Sequence, residues 1–344
     1  MNGIDLRSDT VTRPTPEMRR AMYEAEVGDD GLEGDPTTAR LQEMAAERMG
    51  TEAALLVASG SMGNLVSALA HCEPGEAMLV GETSHMMWSV GQGAGHATYG
   101  QIKVRELHEN EGEFGLEDVE LSIRAEGEVG GRMALVCIEN THNAAYGAPL
   151  DTTHISALAA TVHENGAALH IDGARIFNAA VALDLPVARL VSPADSVTFC
   201  LSKGLACPIG SVVCGSKDLI EVTHNRRKIV GGEMRQTGIM SAAGIVALDT
   251  MVDRMEDDHA NARRLAEGLA QIEGIQIEAD RVRTNIVYFG LADRPPEDIE
   301  KALAEAGIHC FALDGRIRMV THYHITPDDI ENTLVAVQQV MRGV

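Results

Sequence analysis

Two polar residues follow buried apolar runs near the middle of this sequence, and their chemistry organises the rest of the chain. Asp172 comes directly after the apolar run at residues 168–171, and Lys203 follows a second apolar run at residues 197–201. Both runs are typical of buried β-strands. Because ligands bind at the carboxyl ends of strands in α/β sheets, we expect the two side chains to project into one crevice.

A lysine in that position suits covalent catalysis. The chain has only five lysines, and Lys203 is the one that directly follows an apolar strand. Half burial lowers the pKa of an amine towards the neutral nucleophile that a Schiff base requires. Pyridoxal phosphate uses such a lysine, together with an acid against its pyridinium nitrogen that keeps the ring an electron sink; Asp172 fits this second role. A solvent-exposed lysine and a helix-capping aspartate are the alternative interpretation of the same spacing.

Small residues after the apolar run at 53–58 form a candidate anion site. Gly60, Ser61 and Met62 stand where a strand is predicted to turn into a helix at residues 65–71. Free backbone N–H groups and the helix dipole at such a turn would face a phosphate. The turn matches neither the GxxxxGKS nor the GxGxxG pattern, and ordinary turns between strands and helices have a similar composition.

A basic, glycine-rich loop is predicted at RRKIVGGEMRQTG. It concentrates four cations in an otherwise acidic chain: Arg226, Arg227, Lys228 and Arg235. Such a loop is either a solvated basic turn or a group that neutralises a phosphate.

Two further candidates lie beside predicted strands. His85 follows the strand predicted at 77–80, where a histidine is a loop residue or helix cap unless a ring stacks on it. Arg318 lies inside a predicted strand, where an unpaired guanidinium is costly. We therefore expect an anionic partner for Arg318, and a substrate carboxylate matches its fork.

The composition excludes several classes of protein. The 344 residues suffice for one large and one smaller domain, and the net charge of -23 opposes binding to nucleic acid. No apolar run approaches membrane-spanning length and the N-terminus lacks a signal-peptide pattern, so we expect a cytoplasmic protein without a membrane partner. The six scattered cysteines lack CxxC spacing and predict buried thiols; no metal site is predicted.

Alternating strands and helices predict a mostly parallel sheet covered on both faces. The predicted strands are 53–58, 77–80, 134–138, 168–171, 197–201, 211–214, 275–279, 284–289 and 317–323. The predicted helices are 17–25, 38–49, 65–71, 152–164, a long one at 239–272, 297–306 and one from 328. The predicted domains are an N-terminal arm at 1–35, a large α/β domain at 36–240, a connecting helix at 241–272 and a small α+β domain at 273–344. The arm, which carries Ser8 and Asp9, is either a flexible lead or a segment laid across a site.

Ten motifs occur in one order over nearly the whole chain. They are DLRSDTVTRPT, EVGDD with DPT, SGSMGN, GETSH, ENTHN, LHIDGARIFNAA, CLSKGLACPIGS, RRKIVGGEMRQTGIM, TNIV and RMVTH. Together they resemble the threonine aldolases, the β-eliminating-lyase branch of the fold-type-I pyridoxal phosphate enzymes. The resemblance implies the α/β fold of that type, with a mostly parallel sheet in the large domain and a small α+β C-terminal domain.

The resemblance also implies a role for each candidate residue. Lys203 would be the Schiff-base lysine, Asp172 the partner of the pyridine nitrogen and His85 the imidazole stacked on the ring. Gly60, Ser61 and Met62 would bind the cofactor phosphate. Ser8, Arg175 and Arg318 would bind the substrate carboxylate and a cofactor oxygen. Lys228 and Arg235 would contact the phosphate region of a neighbouring subunit. The resemblance also implies a homodimer or homotetramer with active sites at the subunit interface. The N-terminal arm would then have a function at such a site.

Three departures from the family's pattern concern the substrate pocket. Residues 31–34, which include Leu32, replace a Val-Tyr-Gly-Glu stretch and remove a tyrosine. Ser89 replaces an aromatic residue, and a histidine that usually precedes the ENTHN strand has no counterpart in EGEVGGRMAL. The implied cofactor site is intact, whereas the identity of the substrate is left open.

The resemblance implies cleavage of L-β-hydroxy-α-amino acids, such as threonine, allo-threonine or bulkier analogues, to glycine and an aldehyde. Another pyridoxal phosphate lyase, acting by β-elimination or on a different β-hydroxy amino acid, is the alternative enzyme. A non-catalytic protein that binds the cofactor or has a structural role in an oligomer, and a nicotinamide enzyme, are the alternatives from other classes.

Overall fold

The computed structural model describes residues 3–88 and 92–343. Its strands are β1 Ile4–Asp5, β2 Ala53–Val57, β3 Ala77–Gly81, β4 Lys103–Leu107, β5 Met133–Glu139, β6 Ala168–Asp172, β7 Ser196–Cys200, β8 Ser211–Gly215, β9 Ile275–Gln276, β10 Ile286–Leu291, β11 Ile308–His309, β12 Phe311–Leu313 and β13 Arg316–Val320. Its α-helices are α1 Pro16–Glu24, α2 Pro36–Met49, α3 Gly60–His71, α4 His85–Trp88, α5 Gln92–Gly100, α6 Leu116–Glu128, α7 Thr152–Glu164, α8 Ile176–Ala182, α9 Val187–Val191, α10 Lys217–Ile229, α11 Gly238–Thr250, α12 Met255–Leu269, α13 Pro296–Glu305 and α14 Pro327–Arg342.

Seven strands form a central sheet in the order β2-β8-β7-β6-β5-β3-β4. The five strands from β7 to β4 are parallel, and β8 pairs antiparallel with both β7 and β2. β3, β5 and β7 are buried along their whole length, which is why they are continuous apolar runs in the sequence. The predicted mostly parallel sheet is confirmed.

The register of the central sheet aligns the ends of β5 and β6 with the middle of β7. Glu139 at the end of β5 lies opposite Asp172 at the end of β6, and Asp172 lies opposite Thr198 on β7. Because these strands are parallel neighbours, the residues that follow them emerge at the same edge.

A smaller antiparallel sheet has the order β12-β13-β10-β9. Its apolar face packs with α12, α13 and α14 around a separate core that includes Leu265, Leu303 and Val337. The N-terminal segment belongs to this part of the protein, since β1 pairs parallel with β11 and the Leu6 C=O accepts a hydrogen bond from Val320 N–H. The arm is therefore fixed in place along residues 4–12, which favours the second of the two predicted interpretations.

The long helix predicted at 239–272 is wrong in one respect, because two helices occupy this stretch. α11 buries Ala243 and Ala247 in the core of the central sheet, whereas α12 buries Leu265 and Leu269 in the core of the smaller sheet. The two helices thus bury most of their apolar residues in different cores, and residues 251–254 separate them. The predicted division into four segments stays a prediction.

Two other local predictions need correction. The last turn of α10, and not a loop, contains Arg226, Arg227 and Lys228. Cations at the C-terminal end of a helix interact favourably with the helix dipole. Helix α3 begins at Gly60 and not at residue 65, because the Ser59 hydroxyl caps it by accepting a hydrogen bond from Met62 N–H at 3.2 Å.

All six cysteines are buried free thiols, as the sequence predicts. Within the described part of the chain, no helix has both the length and the apolar character that a membrane span requires.

Candidate active site

Asp172 and Lys203 lie at the same edge of the central sheet, as predicted. Asp172 is the last residue of β6 and is 2% exposed, and Lys203 follows the neighbouring strand β7 by three residues and is half-buried. Thr12 of the N-terminal arm donates a hydrogen bond from its hydroxyl to the Lys203 C=O at 3.0 Å. The arm thus passes directly over the segment that carries the lysine.

The Asp172 carboxylate is held from two sides. Asn64 Nδ2 donates to Oδ2 at 2.6 Å, and the Ala174 N–H donates to Oδ1 at 3.1 Å. The His85 Nδ1 atom stands 4.0 Å from Oδ2. A carboxylate accepts up to about four hydrogen bonds, so Asp172 retains capacity for one more donor beside the imidazole.

His85 begins helix α4 and its side chain is 33% exposed. Its backbone N–H donates to Glu139 Oε2 at 2.7 Å, and Asn143 N–H donates to the other oxygen of Glu139 at 3.0 Å. The buried carboxylate of Glu139 therefore ties the segment that carries His85 to the segment that carries Asn143.

Arg175 is buried and forms a two-pronged ion pair with Asp9 of the N-terminal arm. Its Nε and Nη2 atoms lie 2.7 Å from the two carboxylate oxygens of Asp9. Burial alone would raise the pKa of Asp9, but the charge and hydrogen bonds of Arg175 outweigh burial and hold that pKa well below its usual range. The charge of Lys203 contributes in the same direction. Ser8, 9% exposed, donates to Asp9 Oδ1 at 3.3 Å.

Arg318 is 6% exposed and has no carboxylate partner among the described residues. Its Nη1 donates to the Arg7 C=O at 3.0 Å and its Nη2 to Asn143 Oδ1 at 2.8 Å, while its Nε has no hydrogen-bond partner within the same residues. Burial and the nearby Arg175 charge lower the pKa of Arg318. Asn143 Oδ1 also accepts from Arg175 Nη1 at 3.4 Å, so one amide links both guanidinium groups.

The N-terminus of α3 reaches the same edge. Gly60 lies so close to Cys200, the last residue of β7, that an added Cβ would stand 2.7 Å from the Cys200 sulfur. Gly60 is half-buried, Ser61 is exposed and Met62 is half-buried. The first turn of the helix therefore packs against the end of β7, three residues before Lys203, where a phosphate site is expected.

Lys228 and Arg235 are both paired with Glu233. Lys228 Nζ lies 3.0 Å from Glu233 Oε1, and Arg235 Nη2 lies 3.8 Å from Oε2. Gly232, in the same loop, packs so closely on Met62 that an added Cβ would be 2.6 Å from its sulfur. The loop therefore lies beside the N-terminus of α3.

The chain matches one family model over most of its length. Residues 5–292 match the model described as Beta-eliminating lyase. The chain belongs to this family. Two relatives match over nearly the whole chain, so the resemblance that the ten motifs predict is confirmed.

Two of the relatives of this chain are named low-specificity L-threonine aldolases. Low-specificity L-threonine aldolase 1 of Arabidopsis thaliana is 43% identical, over 99% of this chain and 97% of its own. Low specificity L-threonine aldolase of Escherichia coli K12 is 37% identical, over 95% of this chain and 96% of its own.

The fold is also that of a solved threonine aldolase structure. The structure of a threonine aldolase from Leishmania major superposes with a TM-score of 0.84 at 17% identity, covering 98% of this chain and 99% of that one. The β-eliminating-lyase chain thus has the fold of the fold-type-I pyridoxal phosphate enzymes, as the sequence predicts.

Four residues at the site of this β-eliminating-lyase chain were not assigned by sequence reasoning: Asp9, Asn64, Glu139 and Asn143. Glu139 ends β5 and Asn143 follows it, so the rule about strand ends that singled out Asp172 applies to them as well. Asn64 is buried in the first half of α3, but the helix predicted from the sequence began after it, at residue 65, so it gave no such signal. The pairing of Asp9 with Arg175 joins residues far apart in the chain and has no local signal.

Two of the positions that depart from the family's pattern are Leu32 and Ser89. Leu32 lies in an exposed turn and is 77% exposed. Ser89 lies outside the described residues.

Asp9→Asn should destabilise the folded protein, because it leaves the buried Arg175 charge uncompensated. We expect a loss of about 3–5 kcal/mol in the free energy of unfolding at neutral pH. Since the pKa of Asp9 is lower in the folded than in the unfolded chain, the wild type loses this contribution only below about pH 4, and the two proteins should then converge. Urea unfolding of the two proteins at pH 7 measures the loss of stability, and urea unfolding in acid measures the convergence.

Glu331→Gln is the matched control, because it removes an exposed ion pair in which Arg264 Nε lies 2.7 Å from the carboxylate. We expect it to cost less than about 1 kcal/mol. An Asp9→Asn protein as stable as this control would contradict the role of the pair.

Proposed function

We propose that this chain is a pyridoxal phosphate-dependent aldolase that cleaves L-β-hydroxy-α-amino acids to glycine and an aldehyde. The observation that carries the proposal is the placement of Asp172 and Lys203 at the ends of adjacent parallel strands, with His85 beside the carboxylate. The names of the relatives support the reaction.

The side chains present fit pyridoxal phosphate in their chemistry. A half-buried lysine can hold it covalently, and a buried carboxylate with spare acceptor capacity can hold a proton at its ring nitrogen. The first turn of α3, where Gly60, Ser61 and Met62 lie, carries the positive end of the helix dipole, which favours a phosphate there. The unpartnered Arg318 Nε is a donor that a bound carboxylate would satisfy.

When bound, the cofactor supplies an electron sink for the carbanion that remains when the Cα–Cβ bond breaks. Asp172 keeps a proton at the pyridine nitrogen, and Asn64 and Ala174 hold the carboxylate for this task. His85, or a water that it positions, takes the proton from the β-hydroxyl group as the bond breaks.

Arg318 binds the substrate carboxylate in this proposal. Its fork is held by two neutral acceptors, the Arg7 C=O and the Asn143 amide, so it retains its charge for an anion. Arg175 already carries the Asp9 carboxylate, and it therefore contributes its remaining Nη1 rather than its whole fork. Ser8 lies beside this pair and supplies a hydroxyl group.

Arg318→Lys should raise the Michaelis constant about tenfold or more and change kcat much less. A point charge replaces a fork, so carboxylate binding weakens in the ground state and in the transition state alike. Steady-state kinetics with threonine measures both constants. Arg316→Lys, next but one on β13, changes an arginine that stacks on Tyr288 at 4.4 Å and should leave the Michaelis constant within about twofold. Equal effects from the two variants would contradict the assignment of Arg318.

We further propose a homodimer or homotetramer in the cytoplasm. Helices α1 and α11 pack on one another. Large apolar side chains are exposed on or near these helices and near the loop that contains Arg235: Tyr23, Val27, Leu32, Ile229 and Ile239. A second copy that covers them would bring Lys228 and Arg235 near a neighbouring phosphate site. The buried free thiols suit a reducing compartment.

A panel of β-hydroxy amino acids tests the reaction and the substrate pocket together. The absent tyrosine, aromatic residue and histidine leave room beside Cβ and remove one contact to the β-hydroxyl group. We expect weak discrimination between threonine and allo-threonine, and turnover of phenylserine at least as efficient as that of threonine. Glycine release measured with all three substrates checks this. A preference of about a hundredfold or more for one threonine epimer over both other substrates would show that the pocket is misinterpreted.

A further inference from the structure

A chain of polar side chains runs behind Asp172, through the interior between α3 and the central sheet. It consists of Asn64 and His71 on α3, His170 on β6 and Ser196 on β7. Asn64, His170 and Ser196 are at most 2% exposed, and His71 is half-buried. Buried polar groups are costly unless each is hydrogen-bonded, and all four of these side chains have hydrogen-bond partners.

Sequence spacing and sheet register bring the four residues together. His170 and Asp172 are two residues apart on one strand, so they lie on the same face of the sheet. Ser196 is the register partner of His170 on β7. Asn64 and His71 are seven residues apart on α3, about two helical turns, so they share the helix face that covers this part of the sheet.

The hydrogen bonds form one continuous path that ends at Asp172. Asn64 Nδ2 lies 2.6 Å from Asp172 Oδ2, and Asn64 Oδ1 lies 3.4 Å from His170 Nε2. The other ring nitrogen of His170, Nδ1, lies 2.8 Å from Ser196 Oγ. Ser196 Oγ in turn lies 2.8 Å from His71 Nε2.

The direction of every bond follows from the carboxylate. An ionised Asp172 only accepts, so the Asn64 amide donates to it and the Asn64 oxygen accepts from His170 Nε2–H. Burial lowers the pKa of His170 to about 3 and that of His71 to about 4, so both rings are neutral at neutral pH. His170 Nδ1 is then bare and accepts from the Ser196 hydroxyl, whose oxygen accepts from His71 Nε2–H. All four bonds donate towards Asp172.

We propose that Asn64, His170, Ser196 and His71 form a one-way hydrogen-bond relay that orients the Asp172 carboxylate for its task at the cofactor's ring nitrogen. The inference rests on the proposed function. These four are positioning residues, because they act through Asp172 and not on the substrate. Aligned bonds in a medium of low dielectric strengthen one another, so the relay fixes the carboxylate more firmly than Asn64 alone.

Neutron diffraction from deuterium-exchanged crystals of the apoprotein tests the direction of the relay. We expect a deuteron on Nε2 of His170 and none on its Nδ1. A deuteron on Nδ1, or on both nitrogens, would overturn the relay. This result does not depend on activity, so it separates failure of the relay from failure of the proposed function.

Paired variants test the effect on Asp172. Asn64→Leu should raise the dissociation constant of pyridoxal phosphate about tenfold and lower kcat about tenfold, with the Michaelis constant for threonine within about twofold. Ser196→Ala should change the same two quantities about threefold, and Ser196→Thr should restore them.

Ser67→Ala is the matched control, because the Ser67 hydroxyl is buried on the same face of α3 and has no hydrogen-bond partner among the described residues. It should leave both quantities within about twofold of the wild type. If Asn64→Leu fails to fold, the comparison of Ser196→Ala with Ser67→Ala decides. Affinity and kcat unchanged in Ser196→Ala relative to Ser67→Ala would overturn the relay.

Discussion

Lys203→Ala should fold normally but purify without the yellow, borohydride-reducible chromophore of the wild type. The alanine has no amine, so the cofactor cannot be held covalently, and the activity that depends on this link is lost. The backbone contact from Thr12 is to the Lys203 C=O, which the substitution keeps, so the arm should stay in place. Visible absorbance, borohydride reduction and mass spectrometry of the peptide that contains residue 203 measure the effect.

Lys301→Ala is the control for this experiment. Lys301 is exposed on α13, on the smaller sheet's side of the protein, and its loss should leave the chromophore unchanged. A chromophore that survives in Lys203→Ala, or one that reduction attaches to another lysine, would contradict the assignment.

Asp172→Asn should bind the cofactor yet lose turnover by about a hundredfold or more. An amide cannot hold a proton at the pyridine nitrogen, so the ring becomes a weaker electron sink when the Cα–Cβ bond breaks. Asn64 can still donate to the remaining carbonyl oxygen at this position, so the fold should be retained. Single-turnover kinetics with threonine, together with cofactor content, separates chemistry from binding.

Asp249→Asn is the matched control, because Asp249 forms an exposed contact in which its Oδ1 lies 3.7 Å from Arg48. Its turnover should equal that of the wild type. A loss of less than about fivefold in Asp172→Asn would leave no role for the carboxylate at the ring nitrogen.

Strand ends were the most predictable part of the site. The apolar runs that precede Asp172 and Lys203 are buried central strands, so their positions follow from hydrophobic pattern and from the geometry of parallel sheets. Helix α7 has the predicted bounds, because Asp151 caps its start by accepting hydrogen bonds from Thr153 N–H and His154 N–H.

Contacts between distant segments were not predictable in the same way. The ion pair between Asp9 and Arg175 depends on how the arm crosses the sheet, which no local pattern specifies. The start of α3 was predicted too late because glycine at position 60 is a poor helix former, and the Ser59 cap compensates for it. The break between α11 and α12 depends on two separate cores, whereas the sequence there has continuous helical character.

The products formed from L-threonine by the wild-type protein loaded with pyridoxal phosphate test the central claim most directly. Cleavage of the Cα–Cβ bond predicts glycine and acetaldehyde in equal amounts, without release of ammonia. Ammonia and a 2-oxo acid in place of glycine would show β-elimination instead, and the absence of any product would show that this chain is not an aldolase.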